Sequence, residues 1–285
     1  MKRKTSRRWL TGFLILITIW LGVAQCSMKY RIPDKKAKEQ FSKLGVILGT
    51  ESIKVDGFEM HYAKTGHDTL PTLFFVHGSP DGWITYKKFM QDKDLLSKYR
   101  MISIDRPGFG YSQFGDAKNL EDQSKLISPL VKLIGNGKPM YAVGHSYGGP
   151  VIVKLQVDQD LFDGLVLLAG SVDPKEEKPE KWRYIMRVPP LKYFLPGAFR
   201  PSNTELVYLK EDLKDLDKEW ERITCAVWIL HGDKDTYVPI ANVDYAKRKL
   251  TKARSVEVKI LPGADHFIQR ERYAEVKDVL MKLPV

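Results

Sequence analysis

Ser146 stands between glycines in Gly144-His145-Ser146-Tyr147-Gly148, after the apolar run "MYAV" and directly before "GGPVIVKLQVDQ". This is the pattern G-x-S-x-G, in which a hydroxyl is lifted out of a tight strand-to-helix turn. A strand that ends at Gly144 and a helix that starts straight after the serine force the central residue into strained backbone angles. The hydroxyl is left at a helix N-terminus, where free N–H groups favour negative charge. A serine still needs a base before it can act as a nucleophile. Of the six histidines only His231 and His266 lie beyond Ser146, and His266 follows the last strand-like run, in "VEVKILPGADHF". Between them, "ILHGDKDTYVP" offers Asp233 and Asp235 as carboxylates to orient an imidazole and stabilise its protonated form.

These groups can meet only if the elements carrying them end on a common edge. "TLFFV", "RMISI", "MYAV", "GLVLLA", "AVWIL" and "VEVKIL" are short, continuous apolar runs, which suit strands covered on both faces of a parallel sheet. Helical segments alternate with them. "NLEDQSKLISPLVKLIG" places Leu120, Ile127, Leu130, Val131 and Ile134 on one face, with Asn119 as cap, Gly135 as stop and an expected kink at Pro129. Pro150, in the segment after the serine, is acceptable because it falls in a first turn. "DYAKRKL" and "RERYAEVKDVLMKL" complete the set, and "SIKV" with "FEMHYAK" forms a hairpin across Asp56-Gly57. The alternation predicts a doubly wound, mostly parallel α/β sheet, whose right-handed crossovers bring the loops after the strands to one edge. Residues 171–222, charged and then rich in proline and aromatics, interrupt the rhythm between two strands and read as a helical cap insertion.

The ordered set "HGSP" (77–80), "DRPGFGYS" (105–112), "GHSYGG" (144–149), "HGDKD" (231–235) and "GADHF" (263–267) resembles the α/β-hydrolase fold family over residues 52–283. The resemblance implies the triad order Ser146, acid, His266. The family's G-x-x-D spacing runs from Gly232 to Asp235 and selects Asp235 over Asp233, which is left to stabilise the turn. "LFFVHGSP" looks like the family's oxyanion loop, implying that the amides of Ser79 and Tyr147 converge on the substrate oxygen. His77 and Gly78 would shape that loop, and "DRPGFGYS" would be structural. His145 reads as packing or pocket lining, and His61 and His67 as surface residues of the hairpin region.

The formal charge of +11 is concentrated at the start: residues 1–40 hold ten Lys/Arg against Asp34 and Glu39, a net +8. The remaining 245 residues carry only +3, too little for a phosphate-reading groove, so no nucleic-acid partner is expected. Five of those cations precede the uncharged run 9–25, the layout of a signal or membrane anchor with the N-terminus inside and the main domain outside. "LGVAQC" resembles a bacterial lipoprotein signal ending at a lipidated Cys26, except that Gln25 replaces the usual Gly, Ala or Ser. "SRRWL" partly resembles a twin-arginine export signal. The domain reading is an anchor over 1–26, a spacer over 27–50 and a hydrolase-type domain over 51–285. The remaining cysteine, Cys225, reads as a buried free thiol.

The N-terminal layout implies an exported or membrane-associated protein, and the resemblance implies a serine hydrolase that cleaves a carboxylic ester through an acyl-enzyme on Ser146, with a small-molecule acyl substrate. No metal-ligand spacing or nucleotide-binding glycine pattern is present, so no cofactor is implied. A serine rather than an aspartate at position 146 argues against epoxide hydrolase or dehalogenase chemistry, for which the family uses a carboxylate nucleophile. The same three residues also suit amide or carbon–carbon cleavage or acyl transfer, and a non-catalytic binding module is the rival from another class.

Overall fold

Strand-forming runs of five to eight residues build one eight-stranded sheet in the order β1-β2-β4-β3-β5-β6-β7-β8. The computed structural model describes residues 2–284, with side chains from residue 8 onward. The strands are β1 (Gly49–Val55), β2 (Phe58–Thr65), β3 (Thr72–Val76), β4 (Arg100–Ile104), β5 (Met140–His145), β6 (Gly164–Leu168), β7 (Ala226–Gly232) and β8 (Ser255–Leu261). β1 and β2 form the expected hairpin, with Asp56 and Gly57 both at positive φ (50° and 81°) in its turn. β2 also meets β4 antiparallel, and every pair from β4 onward is parallel.

The chain steps from β3 outward to β4, then returns across β3 to β5 and continues the other way. The switch point therefore lies between the C-terminal ends of β3 and β5. A crevice opens there because the connections leave in opposite directions. The sequence places "HGSP" and "GHSYGG" at those two strand ends.

Two apolar layers cover the sheet. On one face lie α5 (Leu120–Ile134), α6 (Gly148–Gln159) and α9 (Ala241–Lys249). The other face is covered by α2 (Asp34–Ser42), α3 (Lys87–Met90), α4 (Lys93–Lys98) and the C-terminal α10 (Ile268–Glu271) and α11 (Tyr273–Lys282). All five residues expected on the inner face of α5 are buried, Asn119 caps it through the Asp122 amide, and the helix runs on through Pro129. β3 to β7 are covered on both faces, but β8 is an edge strand with Glu257, Val258 and Ile260 exposed and Lys259 half-buried, so it is not covered on both faces as its apolar run implied. Charged side chains on such an edge discourage pairing with another chain. The segment expected to be a spacer is instead packed: Ala37, Phe41, Val46 and Leu48 are buried in the second layer.

Between β6 and β7 lie α7 (Lys181–Ile185), a 3-10 turn (Leu191–Phe194) and α8 (Phe199–Leu216). Leu209, Leu213, Leu216 and Trp220 from this insertion join the core on the α5 side, as their helical spacing predicts. One buried ion pair ties the insertion to the sheet. Arg106, in the loop after β4, meets Glu205 of α8 through two hydrogen bonds of 2.7 and 2.9 Å, both side chains fully buried. Arg106 also donates to the carbonyls of His77 and Gly78 at 2.8 and 3.0 Å. Removing one member of such a pair strands a charge away from water. Glu205→Ala is expected to lower unfolding free energy by about 3–5 kcal/mol, with part of the loss recovered in the Arg106→Met, Glu205→Ala double variant. Chemical denaturation of the three variants beside the parent checks this.

Candidate active site

The turn at Ser146 is tight enough to exclude side chains on both sides of it. A Cβ at Gly144 would lie 2.3 Å from the Gly148 carbonyl oxygen, and one at Gly148 would lie 2.2 Å from that of Val76. Ser146 itself is held at φ 53°, a left-handed conformation that costs a non-glycine residue about 1–2 kcal/mol. Three backbone hydrogen bonds hold it there: its amide donates to Leu168, and its carbonyl accepts from Gly149 and Ser171. α6 begins two residues later, so the hydroxyl stands at the head of that helix.

On the β3 side, Gly78 packs so closely that a Cβ there would meet the Ser146 Cβ and His145 Nδ1 at 3.0 Å each. Among the described residues neither the Ser79 nor the Tyr147 amide donates to another protein group, which leaves both N–H groups available. Ser79 Oγ donates to Ser202 Oγ of α8 at 2.7 Å, so the insertion grips this loop as well. His77 accepts the Arg106 amide on Nε2 at 2.9 Å and so carries its proton on Nδ1, 2.7 Å from the Gly78 carbonyl. It is a neutral structural group, and burial with the nearby Arg106 charge holds its pKa well below the usual value.

The loops after β7 and β8 cross at Gly232, where a Cβ would sit 2.3 Å from the Ala264 carbonyl oxygen. This crossing brings Asp235 and His266 together: His266 Nδ1 donates to Asp235 Oδ2 at 2.7 Å. The Asp235 side chain is fully buried, and its other oxygen accepts from the Tyr237 and Val238 amides at 2.9 and 2.8 Å. Burial pushes this carboxyl up, but the hydrogen bond and charge of His266 together with the Val238 amide outweigh it, and the net shift is downward. Asp233 instead accepts the Gly263 amide at 2.7 Å and holds the turn. The His266 ring is fixed between His145, Tyr237 and Phe267, with centroids 4.8, 5.4 and 5.3 Å away. With Nδ1 bound to the carboxylate, Nε2 is the nitrogen free to accept a proton.

Ser146, His266, Ser79, Tyr147 and Gly78 all line one cavity of about 430 Å³. Its walls include Phe199, from the aromatic stretch of the insertion, and Leu206 and Leu209, from its helical run. They also include Tyr30, Glu177 and Arg270, none of which any motif marks. His145 lines the cavity too, with Nε2 3.1 Å from the His266 carbonyl oxygen; burial and the neighbouring His266 lower its pKa to about 3. One expectation fails. His61 is not a surface residue but is buried, its Nδ1 2.9 Å from Asp105, which also accepts from the Trp83 and Tyr111 amides. The period-two pattern of β2 did not reveal it, because its partner arrives from 44 residues away. His67 is exposed as expected. Among the described residues no three His, Cys, Asp or Glu side chains converge as a metal would require, and Cys225 is a buried thiol whose pKa burial raises to about 12.

The buried histidines make the fold acid-labile in a defined direction. His145, His77 and His231 all have folded pKa values below the ordinary histidine value, so the unfolded chain binds protons that the native chain refuses. The stability they allow is complete above about pH 6.5 and is lost as pH falls toward the folded values, at up to about 1.4 kcal/mol per pH unit for each. Unfolding free energy should therefore drop steeply below about pH 6.5, and His145→Gln should flatten the slope by one proton equivalent, as read from denaturant midpoints across that range.

Comparison with known proteins agrees with this architecture. Residues 73–279, well over half of the chain, match the model of the alpha/beta hydrolase family. Epoxide hydrolase 1 of Caenorhabditis elegans is 31% identical over 119 residues, 40% of this chain but only 29% of that protein, so the chain spans less than a third of its length. A membrane phospholipase A described as a bacterial virulence factor superposes with TM-score 0.61 at 19% identity, over 97% of this chain and 100% of that one. A thermophilic esterase from Thermogutta terrifontis gives TM-score 0.63 at 19% identity, covering 81% and 96%. At such identities the structural likeness is one of fold. The sheet order, the strained turn after β5 and the span of the family match agree, and the chain belongs to the alpha/beta hydrolase family.

Proposed function

We propose that this protein is a serine hydrolase that cleaves carboxylic esters. His266 Nε2 takes the Ser146 proton as Oγ attacks the acyl carbon, and the Ser79 and Tyr147 amides receive the oxyanion. The same imidazole then protonates the departing alcohol. Water, activated in turn by His266, releases the acid from the acyl-enzyme. Asp235 keeps the imidazole in the tautomer that accepts on Nε2 and stabilises the imidazolium. The observation that carries this reading is the 2.7 Å bond from His266 to buried Asp235 in the same cavity as the strained Ser146. The insertion acts as a cap, its α8 closing the cavity with Leu206 and Leu209.

A serine at the nucleophile position separates this reading from the chemistry named for the epoxide hydrolase relative, because an alkyl-enzyme on a serine ether cannot be hydrolysed as an ester can. We further read α1 (Lys2–Cys26) as a membrane anchor that places the folded body outside the cytoplasm, since its Arg8–Cys26 stretch is long and apolar enough to span. Retention of this helix is favoured over cleavage before Cys26. Gln25, where a lipoprotein signal has a small residue, donates to the Tyr193 carbonyl at 2.8 Å and accepts from Arg200.

A fluorophosphonate probe is expected to label the full-length protein and to leave Ser146→Ala unlabelled. Asp235→Asn should keep the fold and lose about 10³–10⁴ in kcat on a short chromogenic ester. Equal labelling of Ser146→Ala, or turnover of an epoxide or the matched amide as fast as the ester, overturns the assignment. Mass spectrometry of protein isolated from membranes should find the residues ahead of Cys26 still attached; a chain starting at a lipidated Cys26 refutes the uncleaved helix.

A further inference from the structure

The end of α1 does not stand clear of the folded body. Trp20 Nε1 donates to the Phe194 carbonyl at 3.1 Å, and the Gly197 amide donates to the Ala24 carbonyl at 2.7 Å. Gly197 fits only because it has no side chain, since a Cβ would lie 2.2 Å from the Ser27 carbonyl oxygen. The apolar stretch of 19 residues is about 28 Å long as a helix, against about 30 Å of bilayer hydrocarbon. None of it is spare. Trp20, six residues before Cys26, then lies roughly 9 Å inside the emerging end of the helix. The 3-10 turn, bonded to Trp20 through Phe194 and to Gln25 through Tyr193, is thereby drawn into the boundary layer around the emerging end of the helix.

That part of the insertion has the surface such a position calls for. Trp182, Tyr184, Ile185, Val188, Leu191 and Tyr193 are all exposed, Ile185 at 60% and Val188 at 55%. Residues 181–200 contain five cations (Lys181, Arg183, Arg187, Lys192 and Arg200) and no carboxylate. Aromatic and aliphatic side chains among cations suit the boundary between acyl chains and anionic headgroups. The same stretch also forms part of the active-site cavity, through Arg183 and Phe199, and the chain leaving α1 adds Tyr30.

We propose that residues 181–194 are a membrane-docking face seated in the headgroup layer of an anionic bilayer, so that the Ser146 cavity takes an amphiphilic acyl ester from that layer. The docking rests on α1 being a retained anchor, and the substrate class rests on the ester-hydrolase reading. Continuity with α1 and the surplus of cations, of which Arg183 is paired with Glu180 at 2.8 Å, favour lipid as the occupant over a second copy of the chain.

The test uses full-length protein with Cys26→Ser, reconstituted in vesicles of phosphatidylcholine and phosphatidylglycerol. Bimane is attached at Ile185→Cys, Val188→Cys or, at the end of α5 on the opposite edge of the sheet, Leu133→Cys. Brominated lipid should quench the first two and spare the third. Ile185→Asp with Val188→Asp should slow hydrolysis of a long-chain ester held in the vesicles by about tenfold or more, and change a short soluble ester by less than about twofold. Unquenched probes at 185 and 188, or shielding that follows protein concentration instead of lipid, overturn the docking face. Equal rates of parent and double variant on the vesicle ester overturn delivery from the layer. If the parent cleaves neither ester, the ester reading fails and with it the substrate class, while the quenching result still decides the docking face.

Discussion

The carbonyl oxygen of Val76 and the α-carbon of Gly148 approach so closely that no side chain fits between them. That contact sets how near the turn after β5 can come to the loop after β3. It therefore fixes the distance between the Ser146 hydroxyl and the backbone amides that would receive an oxyanion. The strain at Ser146 is sustained because the surrounding backbone over-determines it: the end of β6, the loop after it and the first turn of α6 all hydrogen-bond this one residue. A site built this way does not reorganise when charge develops, which is where preorganised donors gain their effect.

Arg106 extends the same rigidity outward. Its guanidinium lies over the Tyr147 ring at 4.5 Å, holds the carbonyls of His77 and Gly78, and reaches the insertion through Glu205. A buried ion pair of this kind adds little net stability compared with apolar packing of the same shape. Its consequence is register. The insertion can approach the loop after β3 in one arrangement that leaves no charge unpaired, and the Ser79–Ser202 bond falls on that arrangement. Cavity shape and backbone donors are thus set together.

The N-terminal segment belongs to this assembly. Met28 and Tyr30 both take positive φ (52° and 49°) as the chain leaves α1, wraps past Ala198 and Gly197, and places Tyr30 in the cavity wall. Arg31 then donates to the Gly110 carbonyl and covers the rings of Tyr111 and Phe114. A segment acting only as a tether would need none of these contacts. Here the helix, the insertion and the mouth of the cavity share one surface.

Much of this was written in local patterns. Short apolar runs named six of the strands, the segments flanking Asp56-Gly57 named the hairpin pair, and Asn119 with Gly135 bounded α5, because backbone conformation is dictated by residues close in the chain. Ser146 and His266 were legible as residues following strand-like runs, whereas Asp235 was separated from Asp233 only by the resemblance to the family's G-x-x-D stretch. Other features had no local signal. His61 looks like an ordinary member of an alternating strand, and its burial is imposed by Asp105. Glu205 lies in a helix whose polar residues all look solvent-facing until Arg106 arrives from 99 residues away. The packing of residues 27–50 and the seating of α1 on the insertion likewise depend on surfaces that exist only after folding. Sequence alone determined which backbone each segment adopts and which residues stand at strand ends, since these follow from short-range sterics and periodic burial. Tertiary structure decided which buried charges are paired and what walls the cavity, because those depend on groups distant in the chain meeting where water is excluded.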